Sequence, residues 1–217
     1  IEIGHFTSFV FRTLYQNKQE LTYNQTSIFI SYLNQAELNF ERRQSKDYLF
    51  FPFDPTRSED ATPLPANRYY DFTDYSISYK SPRRNLFTSD SEISYGSFYN
   101  GTKFSLQSRL SYRKQPIFNM SLRLNYDSIK LAEPYPTRNI WLLSPKFEFT
   151  FSKKLFWTTY TQYSTQSENL GINSRLQWRF APLSDVYLVY NDNYYTSDKI
   201  IPQQRSINLK ITYWINI

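Results

Sequence analysis

The sequence is short of the residues on which much protein chemistry depends. It has no cysteine, one histidine, one methionine and four glycines in 217 residues. Without cysteine there is no disulfide scaffold, no thiolate zinc site and no cysteine nucleophile. A Ser-His-Asp triad would have to use His5, which lies at the start of the first expected strand with Glu2 as its nearest acid; a surface or interfacial histidine is the simpler reading. Alanine occurs only five times, which argues against helical bundles. No run approaches the ~18 apolar residues of a membrane-spanning helix. Gly4, Gly96, Gly101 and Gly171 are too scattered to form a phosphate-binding loop. The chain opens on Ile1-Glu2-Ile3-Gly4, without an initiator methionine or signal peptide, and so reads as a processed or partial chain.

Aromatic residues, by contrast, are abundant: 20 Tyr, 18 Phe and 4 Trp make up 19% of the chain. That excludes the composition of a disordered protein. Hydrophobic residues reach only 40%, below the roughly 45–50% of globular domains. The 25 basic against 19 acidic residues leave a formal charge of +6.

The strongest pattern is alternation with a period of two. Ile207, Leu209, Ile211, Tyr213, Ile215 and Ile217 alternate with Ser206, Asn208, Lys210, Thr212, Trp214 and Asn216. The same rhythm sets Ile172, Leu176, Trp178 and Phe180 against Asn173, Arg175, Gln177 and Arg179. It recurs around Phe104–Tyr112, Met120–Tyr126 and Trp141–Phe151, where Arg109, Arg123, Lys146 and Glu148 hold the polar parity. Successive strand side chains point to opposite faces, so each run is a strand with one apolar and one polar face. Weaker strands are expected at 6–15, 23–33, 36–49, 69–80, 86–98, 155–166 and 186–195, giving about twelve strands and no helix.

Tight turns fall at Asn34-Gln35, Ser81-Pro82-Arg83-Arg84, Arg113-Lys114-Gln115-Pro116, Ser152-Lys153-Lys154 and Ala181-Pro182-Leu183-Ser184. Longer links are expected at 51–68, 132–138, 167–170 and 196–203, with a short one at Tyr99-Asn100-Gly101. Short and long connections alternating along an even-numbered meander are the pattern of an outer-membrane barrel, with the C-terminus on the periplasmic side. The expected fold is therefore an all-β, transmembrane, antiparallel up-and-down β-barrel of about twelve strands, a single domain over 1–217; the start in mid-pattern suggests that it is incomplete at its N-terminal side, the alternative being a self-contained cylinder with 6–15 closing against 206–217. A soluble β-sandwich binding sugar through exposed Tyr and Trp also alternates. The barrel is favoured because the apolar parity is aromatic near strand ends and Thr159 and Thr161 sit on it.

In a barrel the apolar parity meets lipid and the polar parity lines the lumen. Arg109, Arg123, Lys146, Glu148, Arg175, Arg179 and Lys210 form that lumen set. Basic residues on the lipid side would cost about 2–4 kcal/mol each at the midplane, so they are expected to keep to one parity. Two readings stay open: salt bridges that fill the interior, or a water-filled pore with mild anion preference.

One stretch carries a family resemblance. It reads Gln162-Tyr163-Ser164-Thr165-Gln166-Ser167-Glu168-Asn169-Leu170-Gly171-Ile172-Asn173-Ser174-Arg175-Leu176-Gln177-Trp178 and continues through Phe180-Ala181-Pro182-Leu183-Ser184-Asp185-Val186-Tyr187-Leu188-Val189-Tyr190-Asn191. With Gly96-Ser97-Phe98-Tyr99-Asn100-Gly101 and Leu64-Pro65-Ala66-Asn67-Arg68-Tyr69 upstream, it resembles the C-terminal barrel of an uncharacterised outer-membrane family from Bacteroidota. The resemblance implies a larger barrel and an N-terminal, family-nine-like carbohydrate-binding domain ahead of it. It also sets Leu183 apart, because the family has glycine in that turn; a different turn conformation is expected here.

Catalytic and metal chemistry find little support. Asp90 and Glu92 share a strand face and are the only candidate dyad for a membrane-associated hydrolase acting on glycans or lipids, whereas Asp71 and Asp74 do not share one. Asp54, Glu59 and Asp60 share the long loop with Arg57, where a solvated loop is a better reading than a weak Ca²⁺ site. No cofactor is implied. Basic pairs at Arg42-Arg43, Arg83-Arg84 and Lys153-Lys154 form no stripe, so nucleic acid is not an expected partner. Outer-membrane lipid, and other outer-membrane or periplasmic proteins, are. Sequons at Asn24, Asn100 and Asn119 carry no meaning in a bacterial envelope. The leading expectation is a non-enzymatic barrel, transport-related or part of an envelope complex. Its proline-rich loop at 51–68 is a candidate lid or docking segment.

Overall fold

The computed structural model describes residues 1–11, 14–15, 18–19, 21–58 and 61–215. Among them are fourteen strands: β1 (Glu2–Phe11), β2 (Leu14–Tyr15), β3 (Lys18–Gln19), β4 (Leu21–Ser31), β5 (Glu37–Leu49), β6 (Arg68–Lys80), β7 (Phe87–Phe98), β8 (Gly101–Lys114), β9 (Phe118–Lys130), β10 (Thr137–Thr150), β11 (Leu155–Ser164), β12 (Asn169–Ala181), β13 (Ser184–Thr196) and β14 (Ile200–Thr212). Twelve of them form one sheet in the order β1-β4-β5-β6-β7-β8-β9-β10-β11-β12-β13-β14. The registers that define its pairs are antiparallel, so the chain runs up and down through next neighbours. The small β2–β3 hairpin continues the β1–β4 ladder in register, with Leu14 opposite Gln19 as Phe11 is opposite Thr22. No helix is long and apolar enough to cross a membrane, which says nothing of crossing by strands.

All-β structure and a twelve-stranded meander are what the alternation predicts, and the five tight turns fall where proline, asparagine and lysine clusters place them. One far-side connection differs from expectation. Residues 50–67 form the long loop and 99–100 the short link, and 131–136 and 165–168 nearly keep the expected lengths, but 197–199 is short because the β13–β14 hairpin runs on into the expected link. β14 starts at Ile200, so Pro202 lies within it, opposite Tyr194 and next to a register shift after Asn193. Proline supplies no ladder N–H; a bulge in the last strand of the order accommodates it. At the other end the strand stops at Thr212, short of the predicted run; Asn216 and Ile217, like Arg12 and Thr13 in the expected first strand, lie outside the described residues.

The sheet divides into two compact units whose borders cut through β8, β9 and β10. The first comprises residues 1–85, 89–108 and 125–140, the second 86–88, 109–124 and 141–217. In the first, Ile28, Phe40, Ile77 and Ile93 stand in one cross-strand row over β4 to β7. Each is 41–52% exposed. The opposite face of the same strands carries the row Ser27, Glu41, Ser76 and Ser94. In the second unit Phe149, Trp157, Leu176, Leu188 and Leu209 are directly opposed in sequence over β10 to β14. Their reverse side carries Glu148, Thr158, Arg175, Val189 and Asn208.

The apolar rows are uncovered. Among the described residues the buried hydrophobics are Ala36, Tyr48, Leu64, Ile129 and Leu131, while Ile207, Leu209 and Ile211 are each more than 60% exposed. A sandwich buries its apolar faces between two sheets. This sheet leaves them open, which excludes the soluble sandwich. Aromatics gather on the apolar face at the short-turn ends of the second unit. Phe118 lies 4.7 Å from Phe149, Phe149 stacks on Trp157 at 5.2 Å, and Trp178 meets Phe180, which stacks on Tyr213.

Scarcity of glycine leaves a mark on the turns. Positive φ angles fall on Gln35, Arg57, Asn67, Tyr99, Glu168 and Leu183, and on no glycine. Leu183, at φ 54°, has the left-handed conformation in which glycine is at ease. For an L-residue with a Cβ that conformation costs about 1–2 kcal/mol. Its side chain is 65% exposed and contributes little in return. Replacing Leu183 by Gly should therefore raise stability by about 1 kcal/mol, read as a shift of the urea midpoint in detergent micelles; an unchanged or lower midpoint contradicts the strain.

Candidate functional site

In the first unit the polar face is organised by one arginine. Arg43 on β5 lies 3.3 Å from Glu41, 2.9 Å from Asp74 on β6 and 3.3 Å from Glu92 on β7. All four share a parity, so the alternation that sorts the faces also assembles the cluster. Next along, Lys103 of β8 pairs with Asp127 at 3.3 Å, and Ser105 donates to the same carboxylate at 2.6 Å. Arg43, Asp74, Glu92, Lys103 and Ser105, with Phe72 and Phe98, line an open cleft of roughly 490 Å³. Glu92 therefore faces Arg43, not a vacant position opposite Asp90. The proposed dyad has no opposed geometry, and sequence spacing alone could not reveal the arginine between strands.

Gly96 shapes the upper end of this cleft. A Cβ there would collide with the backbone of Thr73 and Asp74, so only glycine allows β6 and β7 to approach so closely. Beyond it the ladder is completed by a side chain, the Thr73 amide donating to Ser97 Oγ at 2.7 Å. The strands then give way to a cluster of rings. Tyr99, in the β7–β8 turn, packs against Tyr70 at 5.2 Å, Phe72 at 5.1 Å and Phe98 at 4.8 Å, with Phe53 of the long loop at 5.9 Å.

The loop of residues 50–67 is folded, not merely solvated. Phe53 and Leu64 exchange backbone hydrogen bonds at 3.1 and 2.8 Å, and Leu64 and Thr56 are fully buried. Asp54 is its organiser. One carboxylate oxygen accepts from the Thr56 amide and hydroxyl, the other from the Ser58 amide. Both oxygens are thus engaged, which suits turn formation and disfavours the cation site; Glu59 and Asp60 lie outside the described residues. From its root between β5 and β6 the loop reaches Arg138 near the start of β10. The guanidinium donates to the Arg57 carbonyl at 2.7 Å and to Ser58 Oγ at 3.2 Å. Arg138 shares the polar parity of Lys146 and Glu148 on the same strand. The loop is thereby strapped to the polar side of the sheet.

The second unit carries all seven residues of the predicted polar set. Lys146 holds Glu148 at 2.6 Å, and Asn119 donates to the same carboxylate at 2.6 Å. Arg179 lies 3.4 Å from Asp185 and over the Phe156 ring. Arg175 lines a second cleft with Asn119, Glu148 and Gln177. Arg109, Arg123 and Lys210 occupy the same polar parity and are exposed. The expectation that basic residues avoid the other face fails at Arg42, Lys46 and Arg205 within their strands, and at Lys114 and Lys130 at strand ends. Lys46 pairs with Asp71 at 3.6 Å and lies over the Tyr69 ring, while Arg205 pairs with Asp192 at 2.7 Å. Tyr190 and Tyr194 also donate to that carboxylate. Lys46 and Arg205 stand in the halves of their strands away from the short turns, past the apolar rows, and are neutralised by neighbours across the ladder, whereas Arg42 lies close to the middle of β5. Parity counting sees neither strand height nor cross-strand partners, so it missed them.

No family model and no curated protein matches the chain. Two solved porin structures are similar in outline. The KdgM porin in complex with disordered oligogalacturonate is 12% identical, covers 88% of each chain and gives a TM-score of 0.33. The NanC porin is 11% identical over 98% of each chain, with a TM-score of 0.37. Likeness at these levels carries no argument for this chain.

Burial pushes the Asp54 carboxyl up, but the hydrogen bonds from Thr56 and Ser58, with Arg138 nearby, outweigh it and hold the group below the usual carboxylate range. A depressed folded value means that the carboxylate's support is complete above the ordinary carboxylate range and is lost as pH falls through the lowered value. Protection of the Thr56 and Ser58 amides from hydrogen exchange, taken against the intrinsic rate at each pH, should therefore fall only in that acid window. Asp54→Asn should remove the acid step; a step that persists in the variant would assign it to another group.

Proposed function

We propose that the chain is an integral outer-membrane β-barrel protein, non-enzymatic and transport-related. The observation that carries this reading is the open apolar side of a two-faced antiparallel sheet. An exposed apolar band on this scale is not a soluble surface. In hydrocarbon, strands persist only when every backbone group is paired, so the sheet closes into a cylinder, apolar rows outward and ion-paired rows inward. Strands of ten to fourteen residues in the sheet are long enough for a tilted crossing. Rings at the short-turn ends mark one interface, as aromatic girdles do, and put the short turns on the periplasmic side. The strapped loop then stands at the opposite, outward mouth, above the cleft around Arg43.

The test is a pair of substitutions on opposite faces of the same hairpin. Leu188→Arg puts a charge into the apolar row and should lower the free energy of refolding into phospholipid vesicles by about 2–4 kcal/mol. Asn208→Arg, on the polar side, should change it by less than ~1 kcal/mol. Heat-modifiable migration in electrophoresis reports the folded fraction. Equal effects at the two positions, or a native protein that stays soluble without detergent, would refute the membrane reading.

A further inference from the structure

We infer that the polar side of this sheet selects anionic solutes, an inference that rests on the membrane-barrel reading and names the charge of what the barrel admits. Most acids on that side already have a cation beside them. In the first unit Glu41, Asp74 and Glu92 surround Arg43, Asp127 meets Lys103, and Glu37 meets Lys80 at 3.4 Å. In the second, Glu148 is held by Lys146 and Asp185 by Arg179. Seven carboxylates of the polar parity thus meet five cations; the excess of two negative charges lies around Arg43 in the first unit, whereas the ion pairs of the second unit balance.

What remains on that parity is mainly cationic. Arg109, Arg123, Arg175 and Lys210 are exposed and lie within ion-pair distance of no carboxylate among the described residues. Glu2 and Asp90 are the exposed acids of that parity without an ion pair. A paired charge presents a dipole whose field fades quickly, whereas an unpaired guanidinium projects its full charge into the water beside it. Low-dielectric walls focus such a field and raise the local concentration of counter-ions. Rows of Arg and Lys are how pores favour anions. The Arg175 cleft of roughly 480 Å³ also carries Thr158, while the Asn119 and Gln177 amides there already donate to Glu148 and Asp185. The solutes indicated are therefore small anions.

The experiment is reversal potential in planar lipid bilayers across a KCl gradient, repeated with potassium gluconate, using the full chain. Insertion is verified beforehand by heat-modifiable migration. The native protein should favour chloride and gluconate over potassium. Combined substitution Arg109→Ser, Arg123→Ser, Arg175→Ser and Lys210→Ser should lower the anion-to-cation permeability ratio by about threefold or more. Lys199→Ser, in the β13–β14 turn, should leave it unchanged. If the fourfold variant does not insert, the single substitutions should each shift the ratio in the same direction. Cation preference in the native protein, a ratio unmoved by the substitutions, or no conductance from verified inserted protein would each overturn the inference and leave the barrel reading standing. Failure of the native protein to insert would instead defeat the barrel reading, and the inference with it.

Discussion

A strand offers each side chain one of two faces, and among the described residues nothing covers the apolar one. Ile28, Phe40, Ile77 and Ile93 form a continuous row across four strands, and Phe149 to Leu209 form another across five. Both rows are open to the surroundings. The opposite rows are largely serine, threonine, asparagine or charge. A molecule built this way has no dry interior of the soluble kind, so its stability must come from an apolar solvent outside and from hydrogen bonding within the sheet. The other features of the chain follow from that inversion.

The polar side solves a different problem. Charges crowded on one face repel or pair, and here most carboxylates pair with a cation close by. Arg43 links three strands by itself, and Lys103, Lys146 and Arg179 each hold one acid. Such pairs, part-exposed, contribute modestly one by one, but a shared guanidinium fixes side-chain positions on β5, β6 and β7 together. Arg138 acts in the same way at longer reach, tying the loop of residues 50–67 to β10. Gly96 permits the close approach of β6 and β7, and Tyr99 fills the space where their ladder gives way.

Part of this architecture was readable in the sequence. Strand positions were, because a period of two sustained over ten or more residues cannot be laid on a helix without scattering its apolar side chains around the axis. Turns with proline, asparagine or paired lysines were readable too. The length of the last far-side link was not, since hairpin ends such as Thr196 and Ile200 can pair as easily as they can loop. Arg42, Lys46 and Arg205 broke the parity rule for a related reason. Lys46 and Arg205 are tolerated through Asp71, Tyr69 and Asp192, which are brought opposite them only by register.

By itself, the order of residues determined the two-faced strands, their number and the identity of the polar set, because alternation is a local property of successive Cβ directions. Which carboxylate meets which cation, the seat of the long loop on Arg138, and the fact that the apolar rows lie bare were decided only by the tertiary structure. Those depend on register and on strands distant in the chain, and neither is written in any short stretch of it.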